Sequence, residues 1–202
     1  MPTSLKNKGV PMFIDLSLPD KSFLLQRDLD MSDRNQAVMR QGHYGTHLDR
    51  YLGTAIPLEY TVSRGILFDI SAHSRDGAVT ADTLPINLLQ EGDFVLFRCG
   101  ALLRHAYASP EYFAERIEIA WDLIDALCSL GVRFIGIDSH GLRMGKEHGE
   151  VDKRCEASGV YVIENIANTE ILPPEKAFTA YTSWYDLGGS GLPCRVIAEA
   201  AA

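Results

Sequence analysis

The sequence has no run approaching the roughly 20 consecutive apolar residues that a membrane-spanning helix requires, and its opening segment, MPTSLKNKGVPMFIDLS, lacks the apolar core of a secretion signal. Neither a membrane partner nor export is expected. Cysteine is sparse and scattered. Cys99, Cys128, Cys155 and Cys194 show no C-x-x-C spacing, which argues against a zinc knuckle or dithiol redox motif and predicts reduced, mostly buried thiols in a cytoplasmic compartment. Positive charge is also scarce: Lys and Arg number 19 against 27 Asp and Glu, for a net charge of −8. A chain that tracks nucleic-acid phosphates needs the opposite balance, so no nucleic-acid partner is expected. Repeats, low-complexity tracts and linker-like Pro or Ser runs are missing as well, which excludes solenoids and tethered modules. What remains is a 202-residue chain, 46% apolar and 23% charged, read as one globular domain over residues 1–202. A domain of that size buries about 70% of the surface its unfolded chain exposes and needs no disulfide to hold a core.

The strongest helical periodicity runs over 110–130, where Phe113, Ile117, Ala120, Trp121, Ile124, Leu127 and Cys128 recur every three or four residues. Ser109 fits the N-cap, Pro110 the first helical position and Gly131 the stop. Directly after it, VRFIGID over 132–138 reads as a buried strand ending on an acid. Further strands are predicted over 12–16, 66–70, 94–98, 160–163, 177–181 and 194–197, with a second short helix over 84–90 and loops near 42–57, 139–149 and 186–192. Strands outnumber long helices, so the reading is an α/β fold with a mixed sheet flanked by helices.

The chemistry concentrates in Gly42-His43-Tyr44-Gly45-Thr46-His47-Leu48-Asp49. Neutral imidazoles and a carboxylate are ordinary ligands of a divalent transition metal. Fully extended, His43 and His47 would stand roughly 13 Å apart, too far to share an ion, so the chain must bend between them, and Gly45 permits the bend. His47 and Asp49, two apart, then face the same way. The bland alternative is a polar surface loop.

H-x-G-T-H-x-D resembles the signature of the cyclase family of metal-dependent hydrolases, which includes bacterial kynurenine formamidases and isatin hydrolases. Four further segments are similar to the family pattern: GDFVLFR at 92–98, GID at 136–138, VIENIAN at 162–168 and GGSGLPCR at 188–195. The resemblance spans about 13–197. It implies a mixed, barrel-like central sheet, a homo-oligomer (dimer or tetramer), and one or two divalent ions, zinc or manganese. His43, His47 and Asp49 fall on the first ligand set and Glu164 on the second. The implied reaction is amide hydrolysis, with metal-activated water attacking an amide or formamide carbonyl, an arylformamidase-like activity of the kind used in tryptophan catabolism.

Two departures stand out. The family usually places an acid–base histidine four residues after the aspartate, and this chain has Gly53 there. Twelve residues before Glu164, where the family has a second-metal histidine, stands Asp152. A carboxylate in place of an imidazole makes the site harder and shifts preference toward manganese or magnesium. His148 lies one helical turn before Asp152 and could supply the imidazole if Gly149 does not break the helix. For the proton shuttle the candidates are His148 and His73 first, then His105, His140 and Glu59. Arg50 could pair with a substrate carboxylate, while Tyr44, Tyr51 and Trp184 could wall a pocket for an aromatic amide. The small-molecule substrate itself stays open. So do two other readings: a family member that keeps metal but only binds small molecules, and a cyclase or lyase using the same ligands.

Overall fold

A computed structural model describes residues 10–18, 39–72 and 77–201. Among them the order is β1 (Met12–Asp15), β2 (His47–Asp49), β3 (Val62–Asp69), β4 (Phe94–Arg98), α1 (Ala101–Arg104), α2 (Pro110–Ala114), α3 (Trp121–Leu130), β5 (Phe134–Ile137), α4 (His148–Ala157), β6 (Tyr161–Glu164), β7 (Ala177–Trp184) and β8 (Gly191–Ala200).

Strands β3, β4, β5 and β6 are parallel, and the other pairings are antiparallel. Following the hydrogen bonds from β8 through β2, β6, β5, β4, β3 and β7 leads back to β8, so the sheet closes into a mixed seven-stranded barrel. The long β8 makes this possible. Its first residues pair with β2, its last with β1, and β7 runs along its other edge.

Alternation along the strands divides the apolar residues between two cores. Leu48, Leu67, Phe94, Leu96, Phe134 and Ile163 fill the barrel interior. Ile66, Val95, Phe97, Ile135 and Val162 point outward and join the helical residues Leu123, Leu127 and Val151. Strands buried on both faces read as nearly continuous apolar runs, which is why 94–98 and 132–138 stand out in the sequence.

The structure amends several expectations. The periodic segment 110–130 is two helices. Ser109 caps the first as expected, accepting from the Tyr112 amide at 3.1 Å, and Gly131 ends the second in a left-handed conformation. Between them the chain leaves the helix because Ile119 pairs with Val79 and donates its amide to the Leu142 carbonyl at 2.9 Å. Pairing between distant segments overrides local periodicity there. The helix expected over 84–90 is reduced to a 3₁₀ turn, Ile86–Leu88. Three elements reach into expected loops: β2, only three residues long, the start of α4 and the first residues of β8. The four cysteines are free thiols. Among the described residues, no helix is long and apolar enough to cross a membrane.

Candidate metal centre

The alternation that turns Leu48 into the barrel turns His47 and Asp49 the other way. His47 stands opposite Glu164 in the β2–β6 ladder, and Glu164 closes a strand whose outward residues face the helical layer. His148 and Asp152, one turn apart on α4, complete the group. Two overlapping sets of potential ligands result, each with its ligating atoms within 4.8 Å of one another: His43, His47 and Asp49; and Asp49, His148, Asp152 and Glu164. Asp49 belongs to both.

Close approach of two backbones shapes the first set. A Cβ on Gly42 would lie 1.9 Å from the Gly191 carbonyl oxygen, so only glycine lets the His43 segment lie against the start of β8. His43 Nδ1 is then 2.8 Å from Asp49 Oδ1 and 3.3 Å from His47 Nε2, and His47 Nε2 is 3.5 Å from Asp49 Oδ1. The chain does bend at Gly45, with φ of +56°, and the imidazoles meet as the motif requires. The His47 ring is fixed from behind. Its Nδ1 is 2.9 Å from the Gly45 carbonyl, which can only accept, so Nδ1 carries the proton and Nε2 presents its lone pair. Asn165 donates to the same carbonyl at 2.8 Å, and Tyr112 donates to the Asn165 side-chain oxygen.

The second set is richer in carboxylates. His148 Nε2 lies 3.5 Å from Glu164 Oε1 and 3.8 Å from Asp152 Oδ2. Gly149 does not break α4; it sits in the first turn. Gly141 makes room for the imidazole, since a Cβ there would come within 2.5 Å of His148 Nδ1 and 3.2 Å of Glu164 Oε1.

Electrostatics set this group apart from an ordinary ion-pair cluster. Asp49, Asp152 and Glu164 are each almost fully buried, and no lysine or arginine is paired with them among the described residues. Both oxygens of Asp49 and Asp152, and Glu164 Oε1, have no aligned hydrogen bond. Burial raises Asp49, but the imidazoles of His47 and His43 outweigh it and hold the carboxyl well below the usual carboxylate range. Asp152 and Glu164 are pushed well up, by burial first and then by the charge of Asp49. Burial also lowers His148. Buried carboxylates that lack donors are costly unless a cation neutralises them. The residues therefore fit a divalent metal by donor type, by spacing and by their unmet charge.

Around the group the structure sorts the remaining candidates. Tyr51 stacks on His43 with centroids 5.3 Å apart, and its phenol is kept protonated by burial and by the charges of Asp49, Asp152 and Glu164. Tyr44 packs edge-on against Tyr107, whose hydroxyl accepts from the Gly45 amide at 2.8 Å. Arg50 already has a carboxylate, Asp186, at 2.7 Å. Trp184 lies against Phe134 with the barrel-interior residues and is not brought to the ligand group. His73 lies outside the described residues. His105 pairs with Glu115 at 2.7 Å, and Glu59 meets Arg133 through its backbone carbonyl. His140, caged by Tyr112 and Phe113, is lowered to about 4 by burial and then by the charge of His148.

Gly53 has a left-handed φ of +69°, with nothing within 4 Å of where its Cβ would stand. Its loop is pinned by the buried Glu156, which accepts from the amides of Leu52 at 2.6 Å and Thr54 at 2.9 Å. Sequence reasoning missed Glu156, Tyr107 and Tyr112, for which no local signal exists. It also missed the roles of Asn165 and Ser190, although both stand in segments that carry the family resemblance.

A closed mixed barrel with histidines and carboxylates gathered outside one wall defines a metal-site α/β protein. The chain belongs to the Cyclase family, whose pattern matches residues 5–142. That match ends before α4, so His148, Asp152 and Glu164 rest on the structure. No curated protein matches the chain. Among solved structures it is similar to a predicted metal-dependent hydrolase from Bacillus stearothermophilus, with 22% identity, a TM-score of 0.67, and coverage of 94% of this chain and 98% of that one. It is also similar to isatin hydrolase A from Ralstonia solanacearum, with 19% identity, a TM-score of 0.67, and coverage of 99% and 85% respectively. A third is an isatin hydrolase bound to the product analogue thioisatinate, with 16% identity, a TM-score of 0.71, and coverage of 95% and 83%. At these identities the likeness is one of fold.

Proposed function

We propose that this protein is a metal-dependent hydrolase of amide C–N bonds, acting on a small linear or cyclic amide with an aromatic ring. One observation carries the reading: buried Asp49, Asp152 and Glu164 converge with three imidazoles and leave carboxylate oxygens without hydrogen-bond donors. His43, His47 and Asp49 hold one divalent ion, zinc or manganese, and Asp49, His148, Asp152 and Glu164 offer a second, harder position. A divalent ion bound there supplies a lowered pKa for water and stabilisation of negative charge on a carbonyl oxygen.

The chain's own residues do the rest. Asp49 belongs to both sets and would serve whichever position is filled. Tyr51, held in its protonated form, offers a hydrogen-bond donor beside His43 for a substrate oxygen. The aromatic rings of Tyr44 and Tyr107 suit a planar ring near the first set. Water adds to the amide carbonyl and the C–N bond breaks, giving a carboxylic acid and an amine. Isatin, the compound named for two of the structural relatives, is a cyclic amide of this kind, and a formanilide is its linear counterpart.

Gly53 favours a second reading. The open space beside it supplies no acid–base side chain, a contribution worth about 10²–10⁴-fold in rate. In that case the protein binds an amide at the metal without turning it over.

The experiment is turnover of isatin and of a formanilide by protein reconstituted with Mn²⁺ or Zn²⁺, alongside His47→Ala. Hydrolysis by the parent protein and its loss in a folded His47→Ala variant are expected. Tight binding with no turnover of amides, lactams or lactones supports the binding-protein reading, and activity that survives metal removal excludes both.

A further inference from the structure

His47 and His43 are held differently from behind. Gly45 fixes the His47 tautomer because a carbonyl can only accept. Behind His43 stands a hydroxyl, Ser190 Oγ, 2.8 Å from Nε2. A hydroxyl can donate or accept, so the His43 tautomer depends on where the Ser190 proton goes. The structure gives that proton a destination: Ser190 Oγ donates to Gln41 Oε1 at 3.1 Å. Ser190 is itself placed by backbone bonds on both sides. Its carbonyl accepts from the Arg50 amide at 2.7 Å, and the next amide, Gly191, donates to the Gln41 carbonyl at 2.8 Å.

We infer that Gln41 and Ser190 form a positioning relay that makes His43 a ligand through Nδ1, while His47 ligates through Nε2. With the Ser190 proton committed to Gln41, Nε2–H of His43 donates to Ser190, and the His43 lone pair moves to Nδ1. Nδ1 then faces His47 Nε2 at 3.3 Å and Asp49 Oδ1 at 2.8 Å, three acceptors with no proton among them. A cation bound between them satisfies all three. In the opposite arrangement Ser190 turns its proton to Nε2, and Nδ1–H of His43 faces Asp49 Oδ1 at 2.8 Å and His47 Nε2 at 3.3 Å, so the site is satisfied without an ion. Loading the first position therefore coincides with a turn of one hydroxyl.

The inference rests on the proposed metal site, and the tests separate the two. Long-range ¹⁵N–¹H spectra of the zinc-loaded full chain should show His43 protonated at Nε2 and coordinated at Nδ1, with His47 the reverse. Cobalt titration, followed by its visible absorption, should show Ser190→Ala weakening the first position by about 10–100-fold, the usual cost of losing a partner behind a ligand. Ser190→Thr keeps the hydroxyl and should restore binding. Gln41→Glu, whose carboxylate can only accept, should stay within a few-fold of the parent. If Ser190→Ala does not fold, the spectra and the Gln41→Glu variant still decide. His43 protonated at Nδ1 in the loaded chain, or parental cobalt affinity in folded Ser190→Ala, overturns the relay alone. A parent protein that binds neither cobalt nor zinc overturns the metal site and the relay together.

Discussion

The two ligand sets share Asp49 and little else. The first is local: His43, His47 and Asp49 lie within seven residues, shaped by Gly45 and by the packing of Gly42 on Gly191. The second is assembled from β2, β6 and α4, so it exists only once the barrel has closed and the helix has docked. The first is nitrogen-rich, the second oxygen-rich. A local motif keeps its donors together in the chain, although their final geometry still needs the start of β8. A site built from distant elements can exchange its donors, and a helix that carries an imidazole at 148 and a carboxylate at 152 can present either.

The sharpest way to break the distinction is to remove what the sets share. Asp49→Asn should empty both positions and abolish turnover, a loss of at least about 10³-fold if metal supplies the nucleophile and the charge stabilisation together. Metal content of the purified variant checks it, and a variant that keeps one ion per chain would show the sets to be independent.

Next comes asymmetry between the sets. His43→Ala should remove first-position metal, whereas His148→Ala should spare it and weaken only the second, by more than the roughly 10–100-fold that losing a partner behind a ligand costs. Separate titrations with zinc and manganese read the difference. Equal loss of both ions in His148→Ala would mean that the sets load as one unit.

Gly141→Ala perturbs the second set without replacing any of its members. The new methyl would stand 2.5 Å from His148 Nδ1, at a backbone φ of +133° that side chains rarely adopt. Displacing the imidazole should lower second-position affinity by a few-fold to about tenfold while first-position affinity stays at the parental level.

The smallest effect concerns pH. In protein stripped by chelator, Asp152 and Glu164 are held largely neutral by burial. Their folded pKa values lie above those of the unfolded chain. The stability they contribute is thus fully present below the ordinary carboxylate range and is lost as pH rises through the raised values. Thermal melts of stripped protein should fall as pH rises above about 4, the ordinary carboxylate value, and added Mn²⁺ should reverse the fall. A stripped protein whose melting point rises over that range would contradict the buried, unpaired state of these acids.

Much of this was legible in the sequence, for physical reasons that differ between the two sets. The first set could be read directly because its ligands are neighbours and its glycines announce the bend. Strands β4 and β5 could be read because burial on both faces leaves apolar runs. By contrast, α4 is mostly polar, with Gly149 in its first turn, so its helical character shows only where it docks. β2 is too short to alternate visibly. The break at 115–120 arises from pairing of Ile119 with Val79, a contact local periodicity does not encode. Trp184 packs on Phe134 beside the barrel interior, a placement that its position near a glycine loop does not reveal.

The central claim is that the wall between β2, β6 and α4 holds divalent metal for hydrolysis. It is tested most directly by counting metal in the protein as purified and following isatin and formanilide turnover before chelation, after chelation and after re-addition of Mn²⁺ or Zn²⁺. One to two ions per chain are expected, with turnover that disappears when they are removed and returns with either metal. Protein that contains no divalent metal and keeps its full activity through chelation would contradict it.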